Sequence, residues 1–115
     1  MPALLTSHRQ FGSITIVDLR GSIDLGEASL TLRHTIRDLV KSGRTKIVLN
    51  LSQVDSLDSA GVGELAGAYV PVKSSGGELK FLNPKKKVLA VLQTTQLDKV
   101  FEVHTNEQTA IGSFG

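Results

Sequence analysis

The 115-residue chain has no cysteine. That excludes disulfides, thiolate metal sites and a cysteine nucleophile. Tryptophan is also absent, and aromatics amount to four phenylalanines and one tyrosine. The core must therefore be Leu, Ile, Val and Ala, and at 40% hydrophobic residues the chain has enough of them for one domain over 1–115. No apolar run approaches the ~20 residues that span a bilayer. The opening Met1–Leu5 has neither the charged region nor the long apolar region of a signal peptide, so the expected location is cytoplasmic. An excess of one charge is missing too: 13 Lys and Arg against 11 Asp and Glu leave +2, too little to argue for nucleic acid.

Motifs for enzyme chemistry are equally scarce. His8, His34 and His104 lie on separate segments without ligand spacing, so neither a metal site nor a cofactor is expected. Gly61-Val62-Gly63 lacks the spacing and the lysine of a phosphate-binding loop. Ser59 is not in a Gly-x-Ser-x-Gly elbow. Asp24, Asp55 and Asp58 could converge at the carboxyl ends of strands, where α/β proteins place their sites. No base, metal or cofactor motif accompanies them, and the expectation is a protein that is not an enzyme.

What is present is an alternation of strand and helix patterns. Leu4 to Gln10 and the β-branched run Ser13–Leu19 read as two strands, joined as a hairpin around Phe11-Gly12. Asp24 and Glu27 have capping-box-like spacing, and Leu25, Ala28, Leu32, Ile36, Leu39 and Val40 recur at helical intervals up to the stop at Gly43. Lys46 to Leu51 is apolar on successive residues, as in a central parallel strand buried on both faces. A second helix is expected from Ser59 to about Val70 or Lys73, with a kink or early end at Pro71. Glu78–Leu82 reads as a strand, and Pro84 can open a third helix. Val100–Val103 reads as a last strand, and Thr105 with Gln108 as a capping box for a short final helix. The pattern implies an α/β fold: a small, mostly parallel sheet of about four or five strands, with helices packed mainly on one face.

The stretch Val54 to Gly63 organises this pattern. It runs from a strand through an acidic turn into a helix whose first residue is Ser59. Backbone N–H groups there have no intrahelical partner, and the macrodipole is positive at that end. Asp58 is placed to cap them. Ala60, Gly61, Gly63, Gly67 and Ala68 keep the helix slim, so another surface could approach closely. On local chemistry alone, a simple cap packed on the sheet and a functional serine both remain open. Lys85-Lys86-Lys87 is the only dense charge run and reads as a solvated turn, with a patch for an acidic partner as the other reading.

Asp58-Ser59-Ala60-Gly61, followed by Val62-Gly63, resembles the signature of the STAS family, the anti-sigma factor antagonists, in which the serine of an Asp-Ser-(Ala/Ser)-Gly context is a phosphorylation switch. The resemblance extends over nearly the whole chain. Gly21-Ser22-Ile23-Asp24 resembles the family's turn into its first helix and Lys46–Asp55 its central strand. Gly76-Gly77-Glu78-Leu79 and Asn83-Pro84 resemble the edges of the next strand. Two features depart from it: Pro71, and the near repeat Asp55-Ser56, which makes Ser56 a secondary acceptor.

The resemblance implies a dephosphorylated form that binds an anti-sigma factor with serine kinase activity and so releases the sigma factor. Phosphorylation of Ser59 would end binding, and a serine phosphatase would restore it. The implied partner-binding residues are Asp24, Asp55, Asp58, Ser59, Ala60, Gly61, Val62, Gly63 and Ala66. Neither nucleic acid nor membrane insertion is expected. The alternative is a STAS accessory subunit of a transporter or sensor assembly, in which Ser59 is only a helix cap. A nucleotide binder using the acidic turn and Asp24 has no motif in its favour.

Overall fold

The computed structural model describes residues 4–24 and 26–114. Its elements, in chain order, are β1 (Leu4–Phe11), β2 (Ile14–Ile23), α1 (Glu27–Lys41), β3 (Lys46–Leu57), α2 (Ser59–Ser74), β4 (Glu78–Leu82), α3 (Lys86–Thr94), α4 (Leu97–Val100), β5 (Val103–His104) and α5 (Glu107–Gly112). The five strands form one sheet in the order β1-β2-β3-β4-β5. β1 and β2 are the expected hairpin, and every other neighbouring pair is parallel.

Strand alternation sorts the side chains onto two faces. Val17, Leu19, Ile47, Leu49, Leu51 and Phe81 face a layer of α1 to α4, where Leu32, Ile36, Leu65, Val72 and Leu92 meet them. The other face is covered in part: α5 sets Ala110, Ile111 and Phe114 over Ile14, Ile16, Val48 and Leu82. β3 is therefore buried on both sides at Ile47, Val48 and Leu49, as its unbroken apolar run requires. Beyond α5 the second face carries the polar Asp18 and Asn50 beside the exposed Leu5, and Arg9 there ties α5 to the sheet. Its guanidinium donates to Asp18 at 2.8 and 2.9 Å and to Glu107 at 2.7 and 3.1 Å.

Several local expectations are corrected. The Asp24–Glu27 capping box does not form; α1 starts after Gly26, whose φ of 100° turns the chain, and no side chain caps it. The Asp24 carbonyl instead accepts from the Ser29 hydroxyl at 2.8 Å. Leu25, expected on the apolar stripe of α1, lies outside the described residues. Pro71 does not end α2, which continues to Ser74. The donor that Pro71 lacks would serve the carbonyl of Gly67, which is an exposed residue. The strand expected at 100–103 is a single helical turn followed by a two-residue strand. Phe101 packs there against Phe81 and Tyr69, with ring centroids 4.7 and 4.9 Å apart. The last helix is capped by Asn106, not Thr105; its side chain accepts from the Thr109 N–H.

Candidate functional site

The carboxyl ends of β2 and β3 set the site. Ile23 and Leu57 are register partners, so Asp24 and Asp58 leave the sheet side by side. Asp58 alone separates β3 from α2, and its N–H donates to the Ile23 carbonyl at 3.3 Å. Its side chain caps the helix as expected, accepting from the Gly61 N–H at 2.8 Å, while its carbonyl accepts from the Val62 N–H at 2.9 Å. Ser59 is then the first helical residue. It is exposed, and no side-chain hydrogen bond among the described residues engages its hydroxyl. The N–H groups of Ser59 and Ala60 remain without an intrahelical acceptor at the positive end of a 16-residue helix.

Gly61 is buried, and a Cβ there would lie 2.1 Å from the Ile23 carbonyl oxygen and 2.7 Å from a Leu57 methyl. The glycine lets α2 touch the end of β2. It therefore acts from beneath the surface and is not open to a partner, which corrects its place among the expected contact residues. Val62 is likewise turned inward, half-buried against the core, and Ala60 is half-buried. The outward face of α2 is Ser59, Gly63, Ala66, Gly67 and Val70, all exposed and spaced by three, four or seven to eight residues on one side of the helix. Gly67, read in the sequence only as one of the small residues that keep the helix slim, belongs to this face, and Val70 is a member that the sequence reading missed, although its spacing from Gly63 and Ala66 was there to be read. This stripe borders a groove of about 510 Å³ between α1 and α2, lined by Arg33, Ile36, Arg37, Gly63, Gly67 and Val70 among others. Arg33 crosses its mouth to Glu64, donating at 2.7 Å.

The remaining expected residues have more local partners. Asp55 is exposed, but Lys85 donates to it at 2.6 Å, and that contact holds the Asp55 carboxyl below its usual range. Asp55 is thus kept ionised with its charge offset by Lys85, and Lys85 is not merely solvated. The half-buried Ser56 shares a hydroxyl–hydroxyl hydrogen bond of 2.8 Å with Ser22, so its hydroxyl is less accessible than that of Ser59. Asp24 is half-buried.

Comparison with known proteins agrees with this geometry. A family model described as the STAS domain matches residues 7–110. A Thermotoga maritima protein provisionally named an anti-sigma factor antagonist is 30% identical over 82 residues, covering 71% of this chain and 73% of its own. The anti-sigma-B factor antagonist of Bacillus subtilis is 26% identical over 95 residues, covering 83% and 85%. The crystal structure of an anti-sigma factor antagonist from Mycobacterium paratuberculosis has the same fold, with a TM-score of 0.85 over 97% of this chain and 94% of its own at 23% identity. With a family match across most of its length and the strand–Asp58–Ser59–helix junction in place, this chain belongs to the STAS domain family.

Proposed function

We propose that the protein is an anti-sigma factor antagonist whose binding is switched at Ser59. The supporting observation is the exposed Ser59 hydroxyl at the first position of α2, continuous with a slim, accessible helix face. The names of its relatives point to the same activity. The dephosphorylated protein binds an anti-sigma factor that is also a serine kinase, and that binding frees the sigma factor. The partner covers Ser59, Gly63 and Ala66, with Asp24 and Asp58 at the rim. The protein is then a substrate of its partner and acts in the cytoplasm; no helix among the described residues is long and apolar enough to cross a membrane.

A phosphate on Ser59 adds about −1.5 to −2 charges at pH 7. The free N–H groups and the positive dipole end of α2 tolerate that charge, so the helix stays formed. A bound partner does not tolerate it, because desolvating an unpaired phosphate costs several kcal/mol. Binding is therefore lost without unfolding, and a phosphatase restores it.

The test is a pull-down from cells of the source organism with wild-type, Ser59→Ala and Ser59→Asp baits. Wild type and Ser59→Ala should retain a kinase-like protein that Ser59→Asp loses at least tenfold. Retention of one partner by all three baits would refute the switch and leave Ser59 as an ordinary first-turn residue behind the Asp58 cap, as in an accessory subunit.

A further inference from the structure

β1 is an edge strand. It pairs with β2 along its whole length, from Leu4 opposite Gly21 to Phe11 opposite Ile14, without a bulge. None of the described elements pairs with its other side. Every second residue of this eight-residue strand therefore turns its N–H and C=O groups to an unpaired edge. The opposite edge, β5, is only two residues long.

Natural edge strands are blunted by lysine, proline, bulges or brevity. β1, Leu-Leu-Thr-Ser-His-Arg-Gln-Phe, has none of these. Its one permanent charge, Arg9, is held within its own chain by Asp18 and Glu107. Leu5 and Phe11 are exposed by 51% and 41%, and they stand on the same face near the two ends of the strand.

We infer that β1 is the contact through which two copies of this chain pair, antiparallel and in a register centred on His8. In that register Leu5 stands opposite Phe11 of the second copy, and Phe11 opposite the second copy's Leu5. Thr6 meets Gln10, Ser7 meets Arg9, and His8 meets itself on the two-fold axis. Apolar side chains face apolar and polar face polar, as a self-complementary two-fold contact requires. A slip by one residue would turn the second copy's helix layer to the other face of the sheet. The pairing joins two five-stranded sheets into one of ten and leaves the two Ser59 surfaces at opposite ends.

The helix layer accommodates the second copy. α1 lies over β1, with the Thr6 and Thr35 hydroxyls 3.5 Å apart. Its flank towards the edge begins with Thr31 and Thr35, whose hydroxyls bond back to the Glu27 and Thr31 carbonyls. Arg33 is drawn to the opposite flank by Glu64. A contact of one strand and one helix flank is at the small end of specific interfaces, so a weak, reversible dimer is expected.

The absence of native cysteine makes the register directly testable, because an introduced thiol is the only one in the chain. Cα atoms directly opposite in an antiparallel pair are ~4.5–5.5 Å apart, within disulfide range. His8→Cys and Gln10→Cys both replace exposed residues. In a glutathione redox buffer His8→Cys should form a covalent dimer at least tenfold faster than Gln10→Cys, with circular dichroism confirming that both are folded. Independently, sedimentation equilibrium of the full chain should show a monomer–dimer equilibrium that Leu5→Glu weakens at least tenfold. Leu5→Glu with Phe11→Lys should restore it, since the two charges meet across the axis. A monomer at all concentrations up to ~1 mM, equal or faster crosslinking at position 10, or no effect of Leu5→Glu would each overturn the proposal.

Discussion

At Gly61 one hydrogen in place of a methyl group decides how α2 meets the sheet. The Ile23 carbonyl oxygen occupies the space a Cβ would need, and it belongs to a strand that cannot yield without disturbing the register at Leu57. Gly61→Ala should therefore destabilise the fold by about 2 kcal/mol or more, the range for overpacking against a rigid neighbour, measured by urea denaturation. Gly63→Ala, with nothing within 4 Å of its added carbon, should not. A second residue-scale prediction concerns acid. Arg9 is the main cause of a lowered pKa at Asp18, with Asn50 also donating to that carboxylate while partial burial opposes. A carboxyl depressed by folding contributes stability that is complete above the unfolded value of ~3.9 and is lost as pH falls through the folded one. Asp18→Asn should therefore be less stable than wild type at pH 7 and should show a shallower loss of stability below about pH 4. Equal acid limbs in the two proteins would remove Asp18 from the account.

Among the elements, those written in local patterns were legible and those made by distant contacts were not. Asp58 as cap and Ser59 as first helical residue follow from the one stretch Val54 to Gly63. So does the burial of β3, from its apolar run. Nothing local announces that Arg9 reaches both Asp18 and Glu107, or that Lys80, 3% exposed on β4, is tied to the Ser113 carbonyl and hydroxyl at 3.0 and 2.8 Å. Those contacts decide that α5 covers the second face of the sheet. The Val100–Val103 segment failed for a related reason. Its β-branched composition suits a strand, but α4 and the Phe101–Phe81–Tyr69 cluster claim its first half. Pro71 is the element-scale test case. Because α2 runs through it, Pro71→Ala should gain at least ~1 kcal/mol, part of the ~3 kcal/mol by which proline disfavours a helix interior. An unchanged or lower melting temperature would mean that the proline ring packs better than an unbroken helix would.

For the molecule as a whole, the parallel core directs the ends of β2, β3 and β4 to one edge, which gathers Asp24, Asp58, Ser59 and Lys85. Charge at position 59 stands outside the core and at the favourable end of a helix. Ser59→Asp should therefore leave global stability within about 0.5 kcal/mol of wild type, with an unchanged denaturant slope. A larger loss would mean that the modification acts by unfolding. The single residue between β3 and α2 carries a kinetic consequence. A serine fixed by one residue to the end of a buried strand has no hinge to swing on and no segment to refold. On the proposed reading, the response time of the switch contains no conformational step. It is set by how often kinase and phosphatase meet the serine, so a cell would tune the signal through the amounts of those two enzymes and not through the mobility of this domain.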